Sequence, residues 1–169
     1  MKSFAQYILS DSPSLQAGQY VGWSSGLITY TAQKKPTYDA WRMPLYLPAT
    51  STKAGHTLEV WGCVRPATYA FADTGQPQTA EIQFAPRGSG SYSTVRTLTI
   101  TRNCYFDVRV RFPSSGTVRV VWRYPAGDPL LGDFPAADPS DGSGYTDPLL
   151  GSPGRSDIVD SRSAKVTIK

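Results

Sequence analysis

Only one histidine and two glutamates occur among the 169 residues, and cysteine appears only twice. A catalytic Ser/His/Asp arrangement would have to use His56, which sits in the turn-like Lys53–Thr57 stretch, and no Gly-x-Ser-x-Gly nucleophile elbow accompanies it. Cys63 and Cys104 lack CxxC spacing, so a four-ligand zinc site is excluded. Glu59 and Glu81 fall on outward positions of alternating segments, whereas glycoside hydrolysis needs two carboxylates flanking a cleft. The glycines of Arg87–Ser91 join two strands and lead into no helix, which removes a phosphate-cradling loop of the kind that opens a helix. No run approaches the roughly 18 apolar residues of a membrane span. Met1–Ser10 lacks the apolar stretch of a signal peptide, so an export signal is expected outside this sequence.

What is abundant points to strands. Fifteen Gly, 14 Pro and 12% aromatic residues suit many short strands joined by turns. The net charge of +4 conceals a division: residues 127–160 carry seven Asp against one Arg, and the remainder carries 16 basic and 6 acidic residues. A basic body thus bears an acidic loop. Lys/Arg clusters interleaved with stacking aromatics are absent, so neither nucleic acid nor membrane is an expected partner.

Period-two alternation sets in at Thr57. Leu58, Val60, Gly62 and Val64 share one face, with Glu59, Trp61, Cys63 and Arg65 on the other. Ile82 and Phe84 point inward, and a bulge is expected where Tyr92–Ile100 loses phase between Val95 and Leu98. Phe106–Phe112 and Val118–Tyr124 alternate about the turn residues Pro113–Gly116 and read as a hairpin. That pairing sets Arg111 against Arg119, so both call for an acidic neighbour, the acidic loop being nearest in sequence. Val166 and Ile168 point inward on a last strand. These segments make an immunoglobulin-like antiparallel β-sandwich of about seven strands over 51–169. The appendage, 1–50, holds strand-like Phe4–Leu9, extended Gly26–Tyr30 and one short helix over Lys35–Met43, which Pro36 opens and Pro44 ends. Cys63 and Cys104 either bridge the sandwich, closing a loop of about 40 residues worth roughly 3 to 4 kcal/mol, or lie separately as buried thiols.

Two ligand classes suit what is present. Trp61, Tyr69, Phe71, Tyr92 and Tyr105 are candidates for stacking on sugar rings, Tyr69 and Phe71 in a loop after the first strand; Trp61 equally suits packing beneath the appendage. No cofactor is expected, save calcium at Asp138–Gly144 of the acidic loop, whose spacing departs from the EF-hand pattern. An enzyme using Asp138 and Asp141 is a third reading.

Phe4–Tyr7, Gly26–Tyr30 and Lys35–Leu45 resemble the end of the (β/α)₈ barrel of actinobacterial cellulase-like glycoside hydrolases. Trp61–Pro66, Tyr105–Phe106 and Val118–Trp122 are similar to the immunoglobulin-like module that follows such barrels. The acidic loop departs from that pattern. The resemblance implies a secreted parent enzyme whose catalytic glutamates lie upstream, leaving no catalytic residue here. The chain would be a non-catalytic accessory or carbohydrate-binding module for polysaccharide or oligosaccharide, or a purely structural module packed on the catalytic barrel.

Overall fold

The computed structural model describes residues 35–125 and 158–169, together with Leu15–Gln16, Gln19–Tyr20 and Leu27. Phe4–Leu9, nearly all of Gly26–Tyr30 and the acidic loop up to residue 157, with Asp138 and Asp141, lie outside the described residues. The chain divides into two units, Met1–Tyr38 with Phe134–Gly151, and Asp39–Asp133 with Ser152–Lys169. In the first, β1 (Leu15–Gln16) pairs antiparallel with β2 (Gln19–Tyr20). Helix α1 (Pro36–Arg42) opens on Pro36 and stops short of Pro44, as the proline positions require.

The second unit is the immunoglobulin-like sandwich. Its smaller sheet has the order β3 (Leu45–Tyr46), β5 (Thr57–Cys63), β8 (Tyr105–Arg111). The larger runs β4 (Ser51–Thr52), β11 (Ala164–Ile168), β9 (Gly116–Arg123), β6 (Gln78–Pro86), β7 (Ser93–Ile100), with β10 (Ile158–Asp160) also paired to β9. All pairings are antiparallel except β4 with β11. The alternation sends Leu58, Val60, Ile82, Phe84, Phe106, Val110, Val118, Val120, Trp122 and Val166 into one apolar cluster between the sheets. The register of β6 on β7 passes from Ile82↔Arg96 to Gln83↔Thr94, skipping Val95, so the bulge falls at the start of the stretch where the phase is lost.

Three expectations need correcting. Phe106–Phe112 and Val118–Tyr124 do not form a hairpin: β8 pairs with β5 and β9 with β6, so Pro113–Ser115 carries the chain between sheets. Both strands have an apolar face, and alternation alone does not say whether two such faces lie side by side or one over the other. Arg111 therefore opposes Thr57, and Arg119 opposes Gln83.

Arg65–Thr74, where Arg65 was expected on the strand and Tyr69 and Phe71 in a loop, is a second helix, α2. Pro66 lies in its first turn, and Gly75 closes it in the left-handed conformation (φ +67°), donating its N–H to the Phe71 carbonyl at 2.8 Å. Ala67 and Ala70 are fully buried, their small side chains letting the helix lie close to the core.

The cysteines are joined, but not across the sandwich. Cys63 ends β5 and Cys104 immediately precedes β8, its neighbour in the same sheet. The Val64 N–H donates to the Cys104 carbonyl at 2.9 Å beside the bridge.

Candidate functional site

The smaller sheet has one face in the core; the other gathers Tyr46 and Tyr105, two of the three exposed large aromatics among the described residues. Leu45–Tyr46 pairs with Gly62 and Trp61, which puts Tyr46 directly across from Trp61, and Trp61 in turn opposes Asp107. One step along, Tyr105 stacks on Trp61 with ring centroids 5.6 Å apart and planes 27° from parallel. Tyr46 is 59% and Tyr105 52% exposed, while Trp61 is half-buried beneath the stack. Next along the strands Glu59 opposes Arg109, and their side chains form an ion pair at 3.4 Å. The result is an aromatic strip flanked by both signs of charge.

Its backing is rigid for identifiable reasons. Cys63 is two residues from Trp61 and Cys104 abuts Tyr105, so the disulfide fixes the strand ends that carry the stack. Gly62 is obligatory between them: a Cβ there would lie 2.5 Å from the Phe106 ring and 2.6 Å from the Pro44 carbonyl. The absent side chain lets β3 close on β5 and brings Tyr46 to the strip.

The five aromatic candidates separate into three places. Trp61 and Tyr105 come together as described, with Tyr46 as a member that the sequence reading missed. Tyr69 and Phe71 ride on α2, Tyr69 with 58% of its surface exposed and Phe71 half-buried. Tyr92 belongs to the outer face of the larger sheet, where the Arg119 guanidinium lies over its ring at 4.1 Å and its hydroxyl meets Thr117 Oγ1 at 3.1 Å. Tyr46 sits in a Leu-Tyr pair within Pro44–Pro48, too short to show alternation; only its apolar–aromatic character was legible.

Around Tyr92 a polar network is complete in itself. Arg119 donates through Nε and Nη2 to Gln83 Oε1 at 3.1 and 3.0 Å, and through Nη1 to Asp160 Oδ2 at 3.1 Å. Asp160, the last residue of the acidic stretch, pairs with Arg119, although the Arg111–Arg119 opposition from which an acidic neighbour was expected does not occur. Gln83 Nε2 donates to Glu81 Oε2 at 2.9 Å, and Thr94 Oγ1 donates to the same oxygen at 2.7 Å. The Thr94 hydroxyl above all, then Gln83 and the charge of Arg123, hold the Glu81 carboxyl below its ordinary value against a small opposing effect of burial. His56 is exposed in the Lys53–His56 turn, where its backbone N–H donates to the Lys53 carbonyl at 3.1 Å.

No family model matches the chain, and no curated protein matches it. Among solved structures it is similar to a protein of Thermotoga maritima described as a candidate superoxide reductase, at 12% identity over 74% of this chain and 83% of that one, with a TM-score of 0.42. It is also similar to a single-substitution variant of a superoxide reductase (neelaredoxin) from Ignicoccus hospitalis, at 10% identity over the whole of both chains, with a TM-score of 0.46.

These neighbours are not glycoside hydrolase modules, and the resemblance to such modules is withdrawn. With it go an accessory or carbohydrate-binding role, polysaccharide and catalytic-barrel partners and the absence of catalysis; the absence of a cofactor, read from the residues alone, is withdrawn as well. The β-sandwich and the disulfide stand on the structure itself. Identities of 12% and 10% with TM-scores below 0.5 carry no activity across to this chain. Among the described residues the donor set does not assemble a redox-active metal site. The chain's one histidine is isolated in a turn, both cysteine sulfurs are committed to each other, and no three His, Cys, Asp or Glu converge among the described residues.

Proposed function

We propose that this chain is a recognition module that docks a polypeptide surface on the Tyr46–Trp61–Tyr105 strip, and that a second copy of the chain is its partner. The observation that carries this reading is the Trp61–Tyr105 stack, with Tyr46 and Tyr105 more than half exposed on a sheet pinned by a disulfide. Tyr, Trp and Arg are the residues in which binding energy concentrates at protein interfaces, because they offer large area at little cost in side-chain freedom. A second copy suits the charges. Glu59 and Arg109 lie side by side, so a two-fold axis through the strip sets each copy's Glu59 near the other's Arg109. In this reading residues 51–169 form the recognition domain, and the appendage 1–50 supplies Tyr46 to its face. The Cys63–Cys104 bridge suits an oxidising compartment, hence a secreted protein.

Sedimentation velocity over a wide concentration range tests the proposal. The native chain is expected to shift from monomer to dimer, and Tyr105→Ala to weaken that association by about tenfold or more, as truncation of an interface anchor does. Tyr69→Ala, on α2, is expected to leave it unchanged. A chain that stays monomeric throughout, or a dimer indifferent to Tyr105→Ala, overturns the proposal.

A further inference from the structure

At one end of the larger sheet, apart from the aromatic strip, three strands converge on Gly116. Pro86 at the end of β6 opposes it on one side and Val166 of β11 on the other, and the next pair along β9 and β11 is Thr117 with Lys165. The β6–β7 turn folds beside them. Arg87 donates its N–H to the Ser115 carbonyl at 2.9 Å, Ser89 donates its own to the Pro86 carbonyl at 2.9 Å, and Gly88 takes the left-handed conformation (φ +79°) that this turn requires. Between the turn and the strand ends lies an open cleft of about 330 Å³, lined by Arg87, Ser89, Thr117, Lys165 and Thr167 among others.

Positive charge and hydroxyl groups line this cleft, and no carboxylate does. Neither Arg87 nor Lys165 joins the Arg109–Glu59 and Arg119–Asp160 ion pairs, and neither has an acidic partner among the described residues. Both are exposed, Arg87 on a turn whose backbone is anchored to Ser115 just before β9 and Lys165 on a strand, so neither charge must be drawn from a distance. Ser89 Oγ accepts the Ser91 N–H at 3.1 Å, which leaves its own proton to donate outward. Two cations and a free hydroxyl donor about one hollow make a receptor for a group with several anionic oxygens, since charge-assisted hydrogen bonds are the strong ones.

From this we infer that the cleft between the β6–β7 turn and the Thr117–Lys165 pair binds the phosphate or sulfate group of an ester ligand. Arg87 gives a planar two-pronged contact, Lys165 a point charge, and Ser89 a neutral hydrogen bond that fixes the group's orientation. Affinity is therefore expected to fall as salt rises, because both cations are solvent-exposed.

Amide chemical-shift titration of the full chain with inorganic phosphate, and separately with inorganic sulfate, tests the inference at constant ionic strength made up with chloride. Saturable shifts confined to Arg87–Ser89, Thr117 and Lys165 are expected, weakened at least tenfold in Arg87→Ala/Lys165→Ala, with the urea midpoint unchanged in that double variant. Tighter binding of phosphate points to a phosphate ester, and tighter binding of sulfate to a sulfate ester. Shifts spread evenly over the basic surface without saturation, or equal affinity in the double variant, overturn the inference.

Discussion

Of the described glycines, Gly116 has the least room for a side chain. A Cβ there would meet the Ala85 carbonyl oxygen at 2.1 Å and the Phe84 ring at 2.6 Å, and the first of these is backbone in the paired strand. Gly116→Ala is expected to destabilise by about 2 kcal/mol or more, the range for overpacked interiors. Gly90→Ala meets nothing within 4 Å and should be near neutral, both being read from urea midpoints. Glu81 gives a pH-dependent counterpart. Its carboxyl is held below the ordinary glutamate value, so the folded state binds that proton less readily than the unfolded chain. The stabilisation is fully present above the ordinary value and is lost as pH falls through the lowered one. Comparing the urea midpoints of the native chain and Glu81→Gln, the difference at neutral pH should shrink under acid conditions. The side chain is partly exposed and its hydrogen-bond partners are neutral, so the effect is small.

Among the elements, β5 and β8 bear most on the recognition face, and the disulfide joins them where they end. Its 41-residue separation gives about 3 to 4 kcal/mol in the chain-entropy model, so reduction is expected to lower the melting temperature in a thermal scan with and without reductant. The Trp61–Tyr105 stack should loosen with it, since Tyr105 follows Cys104 directly, and tryptophan emission should move to longer wavelength. Strand content was legible here because Leu58, Val60, Phe106 and Val110 alternate cleanly with polar neighbours. Helix α2 was equally signalled, by Pro66 near its start and Gly75 past its end, but the apolar run through Val64 masked the change from period two to period 3.6. Partner choice was not legible: Val108 and Val120 have the same pattern, and only packing assigns one to each sheet.

For the molecule as a whole, two apolar faces stacked into one core follow directly from the binary pattern of the sequence. The recognition face was half legible. Trp61 and Tyr105 were candidates from their strand positions, while Tyr46 joined them only through pairing across β3 and β5, contacts between residues about fifteen positions apart. Sequence does not say which of two outer faces a side chain joins, and Tyr92 lies on that of the larger sheet, where the Arg119 guanidinium covers its ring. The strip exists only if β8 lies beside β5 and not beside β9. Backbone nuclear Overhauser contacts across the strands decide this: contacts linking Glu59 with Arg109 and Trp61 with Asp107 are expected. Contacts placing Arg111 beside Arg119 would show that β8 and β9 form a hairpin, and would contradict the account.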